Sequence, residues 1–229
     1  MKTRTSHRAQ FAALVGLGLL AAAGMSQAAL ITAAPASGTL VINFDEVIGS
    51  EVSHPVQIGT PVGHDVTVAS SDPGNGLYFS YSGWGMADNG QWVDRTYVGL
   101  NSHDDIMVFA FNDAPVATVG GQIGYARGCC GDVPLFITAL DANMAVLESY
   151  NLSELADIVT PDAENGSAFR GIARAVADIA FFQISGGEAN AIDDLTLAYG
   201  PTPVPLPGSL AMALGGLAVL AGSARRRRA

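Results

Sequence analysis

Lysine is nearly missing from this chain: Lys2 is the sole lysine in 229 residues. Cysteine is almost as scarce, with two residues at adjacent positions, Cys129 and Cys130. No second pair exists to complete a four-thiolate zinc site, so that class of metal centre is excluded. Neither a Gly-x-Ser-x-Gly nucleophile elbow nor a His-Glu-x-x-His motif occurs, so the two commonest hydrolase signatures are absent. The alternation of helix and strand that marks a doubly wound fold is also lacking, and no internal repeat suggests a propeller or solenoid.

The few positive charges are unevenly placed. Lys2, Arg4 and Arg8 stand near the start, and Arg225, Arg226, Arg227 and Arg228 stand at the end. Between them only Arg95, Arg127, Arg170 and Arg174 remain, and all 21 acidic residues lie between Asp45 and Asp194. Four arginines against 21 acids give the central region a net charge of −17. Such a surface repels nucleic acid and anionic lipid, and favours divalent cations or neutral partners. Solubility of an exported protein is sufficient reason for most of these acids.

The two ends read as handling signals. The basic start is followed by an apolar stretch from Phe11 to Gly24, then by small side chains in Ser26-Gln27-Ala28. That three-part pattern predicts a secretory signal peptide over residues 1–28, cleaved by signal peptidase to leave Ala29 as the mature N-terminus. The alternative, a spanning anchor, needs about 20 apolar residues, and this run is shorter. At the other end a helix from Ser209 to Ala224 would rise roughly 24 Å, short for a hydrocarbon core of about 30 Å. The four arginines would stay on the cytoplasmic side and leave the preceding domain outside.

The tail as a whole combines Val204-Pro205-Leu206-Pro207, a short apolar helix and the arginine cluster. This resembles the PEP-CTERM sorting signal, with Leu206 where that family usually carries a glutamate. The resemblance implies a Gram-negative source, transient membrane insertion and processing by an exosortase at the cell envelope. An ordinary C-terminal anchor is the alternative reading of residues 201–229.

The region from 29 to 200 reads as β throughout. Leu40–Phe44 places Leu40, Ile42 and Phe44 on one face. Further strands are expected at 65–69, 77–81, 106–111, 116–125, 135–140, 145–150, 168–172, 179–184 and 191–198, separated by Gly, Pro, Asn and Asp clusters. Only Ser153–Val159 suggests a helix, with Ser153 as its N-cap. The expected fold is all-β, an antiparallel β-sandwich of jelly-roll type. Asn43-Phe44-Asp45-Glu46, Ala139-Leu140-Asp141 and Ala191-Ile192-Asp193-Asp194-Leu195 together look like the ectodomains common in PEP-CTERM proteins, which resemble carbohydrate-binding β-sandwiches.

Three places could carry chemistry. If the first and last strands run side by side, Asp45 or Glu46 approaches Asp193 or Asp194, gathering hard oxygen ligands suited to a structural Ca²⁺. The alternation of a regular strand puts Asp193 on the face of Leu195 and Leu197, a buried position that is costly without a partner. Asp193 accepting backbone hydrogen bonds at a strand end is the plainer alternative. Trp84 and Trp92, with Asp88 and Asn89 beside them, could stack a sugar ring and bind its hydroxyls. The alternative there is that the tryptophans plug a core beneath a long loop.

Cys129 and Cys130, flanked by glycines in an exported protein, are expected to form a vicinal disulfide; free thiols and an intermolecular bridge are the other options. No catalytic residue is assigned. The expected function is a non-enzymatic, exported surface or matrix protein associated with extracellular polysaccharide. A secreted glycan-active enzyme on the same sandwich and a purely structural biofilm protein are the alternatives.

Overall fold

The computed structural model describes residues 28–200 except 48, 53–54, 81–83, 94, 128–132 and 161–162. The expectations for the leader, for Cys129 and Cys130, and for the tail from 201 to 229 therefore lie outside the described residues. No helix among the described residues is long and apolar enough to cross a membrane.

Sixteen strands form among the described residues. The first five are β1 (Ala28–Ile31), β2 (Leu40–Ile42), β3 (Gly49–Val52), β4 (Val56–Gln57) and β5 (Val66–Ser70), with a 3-10 turn at Thr60–Val62 before the last. Then come β6 (Leu77–Ser80), β7 (Trp84–Gly85), β8 (Gln91–Trp92), β9 (Tyr97–Leu100) and β10 (Ile106–Phe111). The last six are β11 (Thr118–Gly124), β12 (Phe136–Leu140), β13 (Val146–Asn151), β14 (Ala168–Arg174), β15 (Phe181–Ser185) and β16 (Asn190–Ala198). A single-turn helix, α1 (Leu152–Leu155), follows β13.

The strands form an eight-stranded sheet in the order β1-β14-β11-β16-β9-β6-β3, with β2 also on β16, and a six-stranded sheet in the order β13-β12-β15-β10-β5-β4. The pairs are antiparallel, as expected for an all-β chain with short connections. Inward-facing residues of both sheets meet in one apolar cluster. Phe79, Val98, Val119, Ile172, Leu195 and Leu197 come from the larger sheet, and Val68, Phe109, Ile137 and Phe182 from the smaller. Strand β10 shows why these segments choose this fold: Met107, Phe109 and Phe111 are buried while Ile106, Val108 and Ala110 are partly exposed. The period of two sends one set inward, and each large side chain so buried contributes roughly 1.5–3 kcal/mol.

Along one side an ion cluster ties the two sheets together. Arg174 of β14, its side chain 8% exposed, holds Asp178 through two bonds of 2.6 and 2.9 Å and Glu148 of β13 at 2.9 Å. Its partners keep the guanidinium pKa above the ordinary value, the bond to Asp178 being the largest cause and burial opposing it.

Strand β16 pairs with β2, Leu195 opposite Ile42, as the side-by-side reading of first and last strands requires. Its face pattern, however, departs from simple alternation. Thr196 lies opposite Gly120 and Asp193 opposite Gln122, so Asp194 and Leu195 together oppose the single residue Gly121. This is a β-bulge, and Asp194 takes the left-handed backbone, φ 50°, that aspartate tolerates better than most residues. The bulge resets the phase of the strand. Ile192, Leu195 and Leu197 all belong to the main core, so Asp193 points to the outer face and not to the face of the leucines.

A second, smaller core lies on that outer face. Met86, Trp92, Tyr97, Ala126, Ala189 and Ala191 form it, with Trp84 packed at its margin. Tyr97 and Ala191 are the outward residues next to inward Val98 and Ile192. The hairpin of β7 and β8, in which Trp84 opposes Trp92, is the lid of this core.

Candidate functional site

Trp92 is fully buried, and its ring lies 5.1 Å from that of Tyr97, nearly parallel. It has no face for a sugar, which corrects the stacking role expected of it. Trp84 is half-buried; its indole N–H donates to Ala189 O at 2.9 Å and its ring rests against Tyr78 and Tyr97. The ring also lies over Gly99, where an added Cβ would come within 3.1 Å of it. Both tryptophans are therefore packing elements of the outer core, which is the core-plugging alternative.

Asn89 is buried as well, at 1% exposure. Its amide nitrogen donates to Tyr125 O at 2.9 Å and to Ile158 O at 2.8 Å, and its amide oxygen accepts from Thr160 N at 2.8 Å. Asn165, also buried, donates to Asn89 O at 2.5 Å. Irregular backbone inside a protein needs such partners, because an unsatisfied buried carbonyl or N–H costs about 1–3 kcal/mol. Asn89 thereby fixes the 157–160 segment against the end of β11 and shapes the cleft beside it.

That cleft, of about 380 Å³, is lined by Asp88, Tyr125, Arg127, Ser153 and Asp157, with Ala126 and Val133 as its apolar part. Asp157 is its centre. One carboxylate oxygen accepts from the Tyr125 hydroxyl at 2.6 Å, and the other meets Arg127 Nη2 at 3.0 Å. Arg170 secures the backbone there, donating from Nε to Ala156 O at 2.6 Å and from Nη2 to Asp157 O at 2.9 Å. Ser153 contributes differently from its expected capping role: its Oγ accepts from Leu135 N at 3.0 Å and sits 3.2 Å from the Tyr125 hydroxyl. The cap position of α1 is Asn151, with no side-chain bond, and the helix stops at Leu155, short of the expected Val159.

Burial, and then the bond to Asp157, hold the Tyr125 phenol above its ordinary value of 10.0, so it remains protonated at neutral pH and acts as a donor. Arg127 and Asp157 are 39% and 30% exposed, so the paired charges can reach a bound molecule. The arrangement offers two carboxylates, a guanidinium and two hydroxyls within one small space. Such groups accept from and donate to neighbouring hydroxyls of a polyol. Among the described residues, no histidine lines the cleft.

Of the residues expected to bind a ligand, Asp88 alone lines this cleft. Tyr125, Arg127 and Asp157 are members that sequence reasoning did not single out, and Ser153 was expected only as a helix cap. The scarcity of cations was the available signal: Arg127 is one of four in a domain without lysine.

The acidic group expected to hold calcium is partly assembled. Asp193 is 8% exposed and its Oδ1 accepts from Asp194 N at 2.6 Å, at the bulge within β16 and not at a strand end. Burial pushes its carboxyl up to about 6; the charges of Asp194 and Asp45 add to that, while the Asp194 N–H and Arg95 oppose it. Asp45 itself accepts from Asn43 Nδ2 at 2.6 Å, and Glu46 is exposed. Among the described residues no three His, Cys, Asp or Glu side chains converge as metal ligands would. In comparison with known protein families and with curated proteins, the chain matches no family model and no curated sequence.

Proposed function

We propose that this chain is an exported, non-enzymatic β-sandwich of jelly-roll type that associates with extracellular polysaccharide through the Tyr125–Arg127–Asp157 cleft. The observation that carries the reading is the cleft itself: a half-buried Arg–Asp pair flanked by two hydroxyls and one aromatic ring. Asp88 and Asp157 against Arg127 leave one net negative charge among its described lining residues, which suits an uncharged polyol better than a free anion. Export and exosortase processing rest on the two ends of the sequence, and the pairing of β2 with β16 supports the jelly-roll reading.

The test is a panel of purified neutral and anionic polysaccharides, measured for retention of the protein and for release of oligosaccharides. Retention by a neutral polysaccharide, lost in Arg127→Ala, is the expected result. Released oligosaccharides would make the protein a glycan-active enzyme, and neither binding nor release would favour a structural protein whose partner is another protein.

A further inference from the structure

The second cavity of the sandwich, about 290 Å³, opens between β2 and the 3-10 turn at Thr60–Val62. Its floor is apolar: Ile42, Phe44 and Ile58 are each 3% exposed. Pro61 and Val62 form one wall, and Val41, 46% exposed, stands at its lip. Beside it runs an open edge. Strand β2 has β16 on one side, and no other strand pairs with it among the described residues. An unpaired edge beside an apolar groove is the surface that takes an added strand.

The chain itself supplies a segment shaped for that place. After Gly200 it continues Pro201-Thr202-Pro203-Val204-Pro205-Leu206-Pro207. In an extended strand the N–H and C=O of successive residues point to alternate sides. Prolines at every second position leave the N–H groups of Thr202, Val204 and Leu206 together on one side and none on the other. Such a strand can join a sheet by one edge, and its proline edge then stops further addition. Val204 and Leu206 also share one face, giving an apolar pair for the groove.

Position and length agree. Leu197 lies opposite Leu40, so the chain leaves β16 at the start of β2. The Tyr199 ring stacks on His64 at 4.3 Å, and His64 follows Val62 by two residues. At about 3.3 Å per residue, seven residues cover roughly 23 Å, enough to run beside β2 and past Phe44. The segment carries no charge, so the exposed Asp45 and Glu46 at the rim do not oppose it.

We propose that residues 201–207 add to the free edge of β2 as a terminal strand, with Val204 and Leu206 seated in the groove. Docking and processing then compete for the same residues, and the proline motif is open to a protease only when it leaves the groove. The proposal stands on the groove and the proline pattern, independently of what the cleft binds.

The experiment uses the full chain in detergent. Amide exchange at 41–43 should be at least tenfold slower than in the double variant Val204→Asp, Leu206→Asp, with β10 amides unchanged as proof that the sandwich is intact. A photo-crosslinking residue at 204 should join peptides containing 41–47 or 57–62 within one chain. Equal exchange in the two proteins overturns the proposal. Crosslinks formed solely between two copies also overturn it, since a second molecule would then fill the groove.

Discussion

The sandwich interior and the outer core beneath the β7–β8 hairpin solve one problem by opposite means. Between the sheets, regular strands supply large apolar side chains at every second position, and the ladders satisfy their own backbone. On the outer face, short irregular segments enclose two rings and a methionine, and buried amides must satisfy the backbone they carry. The first arrangement is robust and repetitive. The second depends on single residues, and it is the one that positions the candidate binding cleft. The proposed binding role therefore rests on the less regular of the two cores.

The sharpest way to test that contrast is to empty each core in turn. Phe109→Ala and Trp92→Ala should each cost about 3–5 kcal/mol, because both remove a fully buried ring. Phe109→Ala should speed amide exchange across both sheets. Trp92→Ala should act locally, speeding Met86, Gln91 and Asn165 while β10 and β15 stay protected. Uniform exchange in both variants would show one cooperative core instead of two.

Asn89→Ala removes a few atoms yet strands the carbonyls of Tyr125 and Ile158. It should cost roughly 2–4 kcal/mol by denaturant melting and abolish retention on polysaccharide.

Asp193→Asn probes the bulge between the two cores. The folded carboxyl titrates at about 6, above the unfolded value of about 3.9. The native state therefore holds the proton more tightly. Its stabilisation is complete below the unfolded value and is lost as pH rises through 6. At pH 8 the neutral amide should be more stable by roughly 2 kcal/mol, a gain in Tm of roughly 6 °C, and at pH 4 the two proteins should melt together. If millimolar calcium removes the difference at pH 8 by raising the Tm of the parent protein, the carboxylate is serving as a cation ligand.

The smallest effect on stability is expected for Arg127→Ala. Its pair with Asp157 is solvent-accessible and worth within about 0.5 kcal/mol, so thermal melts should hardly move while binding falls at least tenfold.

The sequence was most legible where a strand alternates without interruption. Ile106–Phe111 alternates over six residues, and its expected bounds are those found. Tyr97–Leu100 escaped notice because both of its faces are buried, one in each core, so no alternation marks it. The two-residue strands β7 and β8 are too short to carry a period at all. Asp193 was misplaced for a related reason: alternation assumes an unbroken ladder, and no local pattern announces the bulge at Asp194. The cleft was the least legible part. Tyr125 and Asp157 are 32 residues apart and meet only after the 157–160 segment is fixed by Asn89.

The bulge in β16 has a consequence for how the chain can change in length. On either side of it the ladder with β11 is already in register, Thr196 with Gly120 and Asp193 with Gln122. Asp194 is the surplus residue, held in a backbone conformation that side chains rarely adopt. Deleting it would leave Leu195 opposite Gly121 in an unbroken ladder, with Ile192 and Leu197 still facing the interior. Deleting Thr196 instead would turn Leu197 outward and bring its neighbour Ala198 in. Position 194 is thus where this strand can lose a residue and remain the same strand.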